Sequence, residues 1–420
     1  ESSCCCVCVC VCVCDRSYSY ILHLAYIRIM IKSHSAPHQS RASCRAHPRA
    51  SCRARASRAH ALASCRARAH SSVIMSAANS SISSPDTGAA ASSSLTLFSP
   101  SKINVFLRII RRREDGFHEL ASLFHVIDCG DELVVDLGPP GQKDTLKCNM
   151  TNVPVDSSNL VLKALAMFRE RALADIPAAE RPSYHCTLRK RVPAGAGLGG
   201  GSGNAATALF AANVLAGNPA SESDLQTWSA DIGSDCPVYF GKGASYVTGR
   251  GEFVDDVESP FTDDDSLLLV KPPIELSTGR IFKALDLNNL SDADPKALMS
   301  QIADVGAQAT VDLTVNDLEA PAFKVLPRLR ELKERLAEAD GGCTSFMSGS
   351  GSTIVALGVD TPPTELIARS PSLASDWGTF DPEEDKLFIS RARFITRKEG
   401  EWFKPSKALA EEHANAIKEL

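Results

Sequence analysis

Eleven consecutive residues in mid-chain, Pro193, Ala194, Gly195, Ala196, Gly197, Leu198, Gly199, Gly200, Gly201, Ser202 and Gly203, include six glycines. A backbone this bare lets a ligand come close and tolerates positive φ. Its amides, with those opening the next helix, form a cradle for an anion. The loop lies between a strand-like run, Tyr184 to Val192, and an apolar helix-like run, Asn204 to Ala216, that stops at Gly217, Asn218 and Pro219. Phosphate binding is the chemistry this loop offers.

Several phosphate loops compete. Gly195, Gly197 and Gly200 fit the G-x-G-x-x-G spacing of dinucleotide-binding folds, with Glu222 about 20 residues on. Glu222, however, opens a predicted helix, and the loop does not sit in a first βαβ unit. No Gly-Lys-Ser/Thr follows the glycines, which removes the Walker A loop, and H-R-D, D-F-G and V-A-I-K are all missing, which removes the protein kinases. A turn made bare only for close helix–strand packing explains one or two glycines, not six. On residue type alone, Asp235 before Pro237 reads as an Asx-turn aspartate, Lys102 as a solvated lysine at a strand start, and Phe282 as a helix core aromatic.

The elements that must position these residues follow from hydrophobic patterning. Strands are expected at 95–98, 103–110, 123–127 and 132–137, with a turn at Gly116 to His118 and a break at Gly130 and Asp131. Helices are expected at 159–172, 204–216, 222–231 (capped by Ser221), 277–288, 296–303 and 322–339, the last interrupted near Pro327. Further strands are expected at 245–247, 253–254, 266–270 and 353–357. A second small-residue loop, Ser348 to Ser352, precedes the last of these. Strands and helices mix without a βαβ repeat, so the fold class is α+β in two domains, 95–260 and 266–405, with a tail at 406–420.

Composition sets limits. Residues 1–95 carry 11 Lys and Arg against 3 acids, a net of +8, whereas the other 325 residues carry 34 against 47, a net of −13. An acidic body argues against nucleic-acid binding. Ten of the 15 cysteines lie in residues 1–65, and the five in the body (129, 148, 186, 236, 343) lack zinc spacing and read as small core residues. The apolar run Tyr20 to Ile31 is too short to span a bilayer, which takes ~20 residues. Residues 1–94 read as a leader outside the fold: an Arg- and Ser-rich, acid-poor transit peptide, or an upstream translated region ahead of a start at Met75.

Taken together, the loop 193–206 resembles the ATP loop of the GHMP small-molecule kinases. Pro100 to Leu107 with Asp115 to His118, Ile232 to Val238, and Phe346 to Thr353 resemble that family's other motifs in the same order. They are most similar to the branch that phosphorylates a cytidine-diphosphate-linked polyol, and Phe388 to Arg397 with Trp402 resembles its plastid form. The resemblance covers about residues 95–405.

It implies a ribosomal protein S5 domain 2-like N-terminal domain and a ferredoxin-like C-terminal one. It also implies ATP-dependent phosphorylation of a hydroxyl on the methylerythritol moiety, a step of the non-mevalonate isoprenoid route, in the plastid stroma. The implied small-molecule substrate is cytidine diphosphate-linked, with no nucleic-acid or membrane partner, in a monomer or homodimer. By the same resemblance Asp235 is the general base, Lys102 lies near the reacting hydroxyl and the γ-phosphate, and Asn104, on its face of the strand, orients substrate. Residues 193–203 hold the triphosphate. Phe117 and His118 suit cytosine, with Phe282 closing the other face of the base. Relatives more often carry Tyr at the Phe117 position, and Ser at that of Gly203. The triphosphate implies Mg²⁺, held mostly by phosphate and water since no acidic cluster forms a private site. Homoserine- or mevalonate-type kinases, a catalytically silent binding protein of this fold and an NAD-binding oxidoreductase stand as alternatives.

Overall fold

The computed structural model describes residues 93–338, 343–359, 361, 363 and 387–406. The leader before residue 93 and the tail beyond 406 lie outside the described residues.

Two sheets organise the described chain. In the first, β1 (Ser94–Arg112) and β2 (His118–Gly138) form one long antiparallel hairpin. β4 (Ser183–Arg189) pairs with the C-terminal half of β2, and β5 (Ala244–Gly249) with its N-terminal half. β3 (Thr145–Cys148) and β6 (Phe253–Val257) complete the edges. The second sheet runs β10 (Phe388–Arg393), β7 (Ser266–Lys271), β9 (Ile354–Leu357), β8 (Thr344–Met347), all antiparallel. One buried cluster, including Ile103, Phe106, Leu267, Leu269, Val355 and Phe388, draws on both sheets.

Where sequence patterning expects two strands on each side of the first hairpin, the structure has one. The register jumps between Pro100 and Ser101, so β2 bulges at Asp128 and Cys129 without ending. Gly130 permits this crossing: a Cβ there would lie 2.5 Å from the Phe98 ring.

Helix α1 (Leu160–Arg171) is capped by Asn159, whose side chain accepts from the Val161 amide. Helix α2 starts at Gly200, four residues before the expected Asn204, and runs to Leu215. Three of the six loop glycines thus form its first turn. It is buried almost all round, as an apolar helix with no polar face must be. Helix α3 (Glu222–Ser229) carries the capping box expected at Ser221, closed by Asp224. In the C-terminal half lie α4 (Thr278–Ala284), α5 (Pro295–Val305), α6 (Glu319–Val325) and α7 (Arg328–Glu338). The expected single helix over 322–339 is therefore two, broken where Pro327 withholds a backbone donor.

Of the body cysteines, Cys129, Cys186 and Cys236 are buried and Cys148 and Cys343 half-buried, all five as free thiols. Burial pushes the Cys129, Cys186 and Cys236 thiols up to about 12, leaving them inert.

Gly203 shows the packing reading of a glycine at work, because a Cβ there would lie 2.2 Å from the Pro100 carbonyl. Gly201 has only a leucine methyl of Leu160 at 3.8 Å. Gly203→Ala should therefore cost about 1–3 kcal/mol in urea unfolding. Gly201→Ala should be neutral or stabilise by up to about 1 kcal/mol. Equal effects of the two would mean that β1 does not constrain α2.

Candidate active site

The glycine loop lines one side of a cleft of about 380 Å³, whose other walls include Val153, Asn159, Leu160, Leu188 and Lys190. Gly195, Gly197 and Gly199 have φ of 59°, 76° and 66°, values that other residues adopt only at a cost. Four successive carbonyls of the loop are held from behind. Thr353 donates its hydroxyl to Ala196 O at 2.7 Å, and Ser348 donates to Gly197 O at 3.0 Å. The Lys102 amide donates to Leu198 O at 2.9 Å, and the Tyr239 hydroxyl to Gly199 O at 2.9 Å. Its carbonyls are thus tied to the body, while Gly201 faces solvent.

Beneath the cleft is a buried polar network that sequence reasoning missed. Lys190 Nζ lies 2.5 Å from Asp131 Oδ2 and 3.1 Å from Asn204 Oδ1. Asp131 also accepts the amides of Arg191 and Val192, at 2.7 and 2.9 Å. This network fixes the exit of β4 against the start of α2, and so the mouth of the loop. Lys190 lies 14 residues from Asn204 and 59 from Asp131, so no local pattern announces it.

Lys102, read from sequence as a solvated lysine, is 4% exposed. Its amine donates to Asn104 Oδ1 at 2.7 Å and Gly197 O at 3.2 Å, pairs with Asp235 Oδ2 at 3.5 Å, and lies 4.6 Å from the face of the Phe124 ring. Burial pulls its pKa below the ordinary lysine range, opposed by the Asp235 carboxylate. Asp235 stands just before a fully buried 3₁₀ turn, Cys236–Phe240, with its side chain about 31% exposed. It is neither capping that turn nor locked in a backbone network. One of its oxygens thus faces the amine while the group stays open to a ligand.

Asn104 is fixed on the other side by Ser122, to which it donates at 2.9 Å. Its backbone amide donates to the Ser348 hydroxyl at 3.3 Å, 244 residues away in sequence. The loop 348–352 is itself held by buried Asn316, whose side chain donates to Met347 O at 2.7 Å and Gly349 O at 2.8 Å. Ser350 then meets Thr278 at 2.9 Å, linking this loop to α4. The second small-residue loop therefore bridges the glycine loop, the Asn104 strand and the helix carrying Phe282.

Phe282 stacks on His118, with centroids 5.1 Å apart and planes at 29°. Burial, and then the nearby Arg112 charge, lower the His118 pKa, which favours the neutral ring. Phe117 is not part of that stack. It is 57% exposed, with the Arg250 guanidinium 5.1 Å from its ring centroid. The structure thus gathers Lys102, Asn104, Asp235 and the glycine loop at one point, and His118 with Phe282 at another, while Phe117 stands on the open side of its turn.

Comparison with known proteins decides the family. The GHMP kinases N terminal domain matches residues 159–242 and the GHMP kinases C terminal domain residues 296–370. The 4-diphosphocytidyl-2-C-methyl-D-erythritol kinase, chloroplastic, of Oryza sativa subsp. japonica is 48% identical over 76% of this chain and 76% of its own. This chain belongs to the GHMP kinase family.

The Arabidopsis thaliana protein with the same name as the Oryza sativa one is 46% identical over 76% of this GHMP kinase and 79% of its own length. A crystal structure of a 4-(cytidine 5'-diphospho)-2C-methyl-D-erythritol kinase is 26% identical with a TM-score of 0.55, covering 71% of this GHMP kinase and 99% of that chain. The two-sheet α+β architecture is accordingly the GHMP kinase fold, and the dinucleotide reading of the glycines is set aside. Among the described residues no cluster of His, Cys, Asp and Glu has the make-up of a metal cage. No helix among them is long and apolar enough to cross a membrane.

Proposed function

We propose that this protein transfers the γ-phosphate of ATP to a hydroxyl of 4-diphosphocytidyl-2-C-methyl-D-erythritol, in the chloroplast, as a step of isoprenoid precursor synthesis. The observation that carries the reading is the meeting of the Lys102 amine and the Asp235 carboxylate, 3.5 Å apart, against the glycine loop, whose Gly197 carbonyl the amine also reaches. The chloroplastic kinases named above, similar over three quarters of the chain, supply the substrate class.

Phosphoryl transfer asks the protein for positioning and charge stabilisation more than for covalent chemistry. The amides of residues 193–203, with the Ser202 hydroxyl, hold the triphosphate. The hydroxyl oxygen of the substrate forms its bond to the γ-phosphorus as the bond to ADP breaks, and its proton passes to Asp235. Lys102 stabilises the charge that builds on the attacking and transferred oxygens. Asn104, held by Ser122, orients the hydroxyl. Mg²⁺ fits such a site as the partner of ATP: the half-exposed Ser202 hydroxyl is an oxygen donor that would hold it, with phosphate and water as the remaining ligands. When bound it neutralises phosphate charge. His118 and Phe282 take the cytosine, by hydrogen bond and by stacking, with the exposed Phe117 ring offering the second stacking face. Residues 95–260 and 266–405 divide the work as two domains. Phe282 and the loop at 348–352 come from the second.

The deciding assay gives the purified chain ATP, Mg²⁺ and the cytidyl substrate, and scores ADP against homoserine and mevalonate as competing acceptors. Turnover with either competitor at the same efficiency would defeat the reading. Phe282→Ala should raise KM for the cytidyl substrate about 10-fold, the worth of one stacked face at roughly 1–1.5 kcal/mol. An unchanged KM would remove Phe282 from the base site.

A further inference from the structure

The chain returns from β10 to the first sheet as an extended strap, and one side chain of that strap, Arg397, is 2% exposed. Its guanidinium donates to the Gly241 carbonyl at 2.8 Å and to the Phe240 carbonyl, both at the end of the 3₁₀ turn that Asp235 precedes. It also donates to both carboxylate oxygens of Glu222, at 3.2 and 3.0 Å. Glu222 is the first residue of α3. One guanidinium therefore grips the two ends of the segment 222–241, and Asp235 lies within it. The strap's own backbone is fixed in turn: the Arg397 amide donates to Lys242 O at 3.0 Å, and Trp402 Nε1 donates to Phe98 O at 3.0 Å.

From this we infer that Arg397 is a positioning residue for Asp235, so that the C-terminal strap sets the aim of the general base on which the proposed function rests. The physical case is one of leverage. The segment 222–241 closes on itself through α3 and a short 3₁₀ turn, with Asp235 immediately before that turn. Near its far end Tyr239 meets the glycine loop at the Gly199 carbonyl, and Cys236 meets Ser202. If its ends part, the carboxylate moves relative to Lys102, which β1 holds independently. A planar fork suits this task because it reaches two carbonyls and a carboxylate at once in fixed directions. Lysine carries the same charge without that geometry. A misplacement of about 1 Å at a reacting group costs on the order of 100-fold in rate.

A double-mutant cycle with Asp235→Asn on the full chain tests this, with kcat, KM and ATP affinity measured for each variant. Arg397→Lys should lower kcat about 10- to 100-fold and leave ATP affinity within about 2-fold. In the Asp235→Asn background the same change should cost at most about 2-fold, because a residue that acts through Asp235 has nothing left to aim. Glu222→Gln, which weakens the grip but keeps its shape, should show the same pattern with a smaller loss, and it stands in should Arg397→Lys not fold. An equal fold-loss in both backgrounds, or a loss of ATP affinity matching the loss of kcat, would overturn the inference and leave Arg397 a stabilising residue only. If Asp235→Asn alone turned over at the wild-type rate, the general base, and not the clamp, would be the assignment that fell.

Discussion

Asp235→Asn should lower kcat by about 10²- to 10⁴-fold, the usual worth of a positioned general base, with the affinity for ATP changed by less than about 3-fold. The amide keeps the size and the polar edge of the carboxylate, so the 3₁₀ turn behind it should stand. That turn owes its place to five buried residues, not to a cap from Asp235. What is lost is the ability to take a proton, and the 3.5 Å attraction to Lys102. Single-turnover kinetics with ATP titrations check both halves. Should ATP affinity fall as far as kcat, Asp235 would be a structural aspartate after all, as residue type alone reads it.

Lys102→Met should lower kcat by about 10²- to 10³-fold, again in a folded protein. Methionine nearly matches the lysine stem in volume, and removing one partner of an ion pair is strongly destabilising only when the other is left as a buried charge. The carboxylate left behind is partly open to water, so it is not stranded. A pH signature goes with this. Burial lowers the Lys102 pKa, and the charged amine is the form that stabilises transferred phosphate. Activity should thus fall as pH rises through a value below the ordinary lysine pKa of 10.5, whereas Lys102→Arg should move that limb to higher pH. A profile whose alkaline limb is the same in wild type and Lys102→Arg would mean that some other group titrates.

Much of the candidate site is legible in the chain because its constraints are local. Glycines at 195, 197 and 199 must be glycine for their own φ, and a turn of that kind writes itself into sequence. Ser221 and Asp224 form a cap over three residues, and Pro327 breaks a helix by its own ring. The resemblance then supplied roles that residue type alone did not. Taken singly, Lys102 reads as a solvated side chain, because nothing in its neighbours says that Phe124, Gly197 and Asp235 will close over it.

The misplaced boundaries have the same origin. Glycine disfavours helix, so patterning starts α2 at Asn204, yet the chain turns helical at Gly200, and Gly203 is glycine within that helix because the Pro100 carbonyl of β1 leaves no room for a Cβ. Gly130 and Asp131 read as a break, but the strand continues through a bulge held by its partner. By itself, then, the sequence determined the glycine loop, the α+β class and the residue types that chemistry needs. Those rest on φ preferences, periodicity and motif spacing within a few residues. Only the tertiary structure decided which groups meet: Asn104 with Ser348, Lys190 with Asp131, Arg397 with Glu222 and Gly241. Such contacts join residues from about 60 to about 240 positions apart. Each depends on where whole sheets and helices pack, which no single stretch of chain encodes.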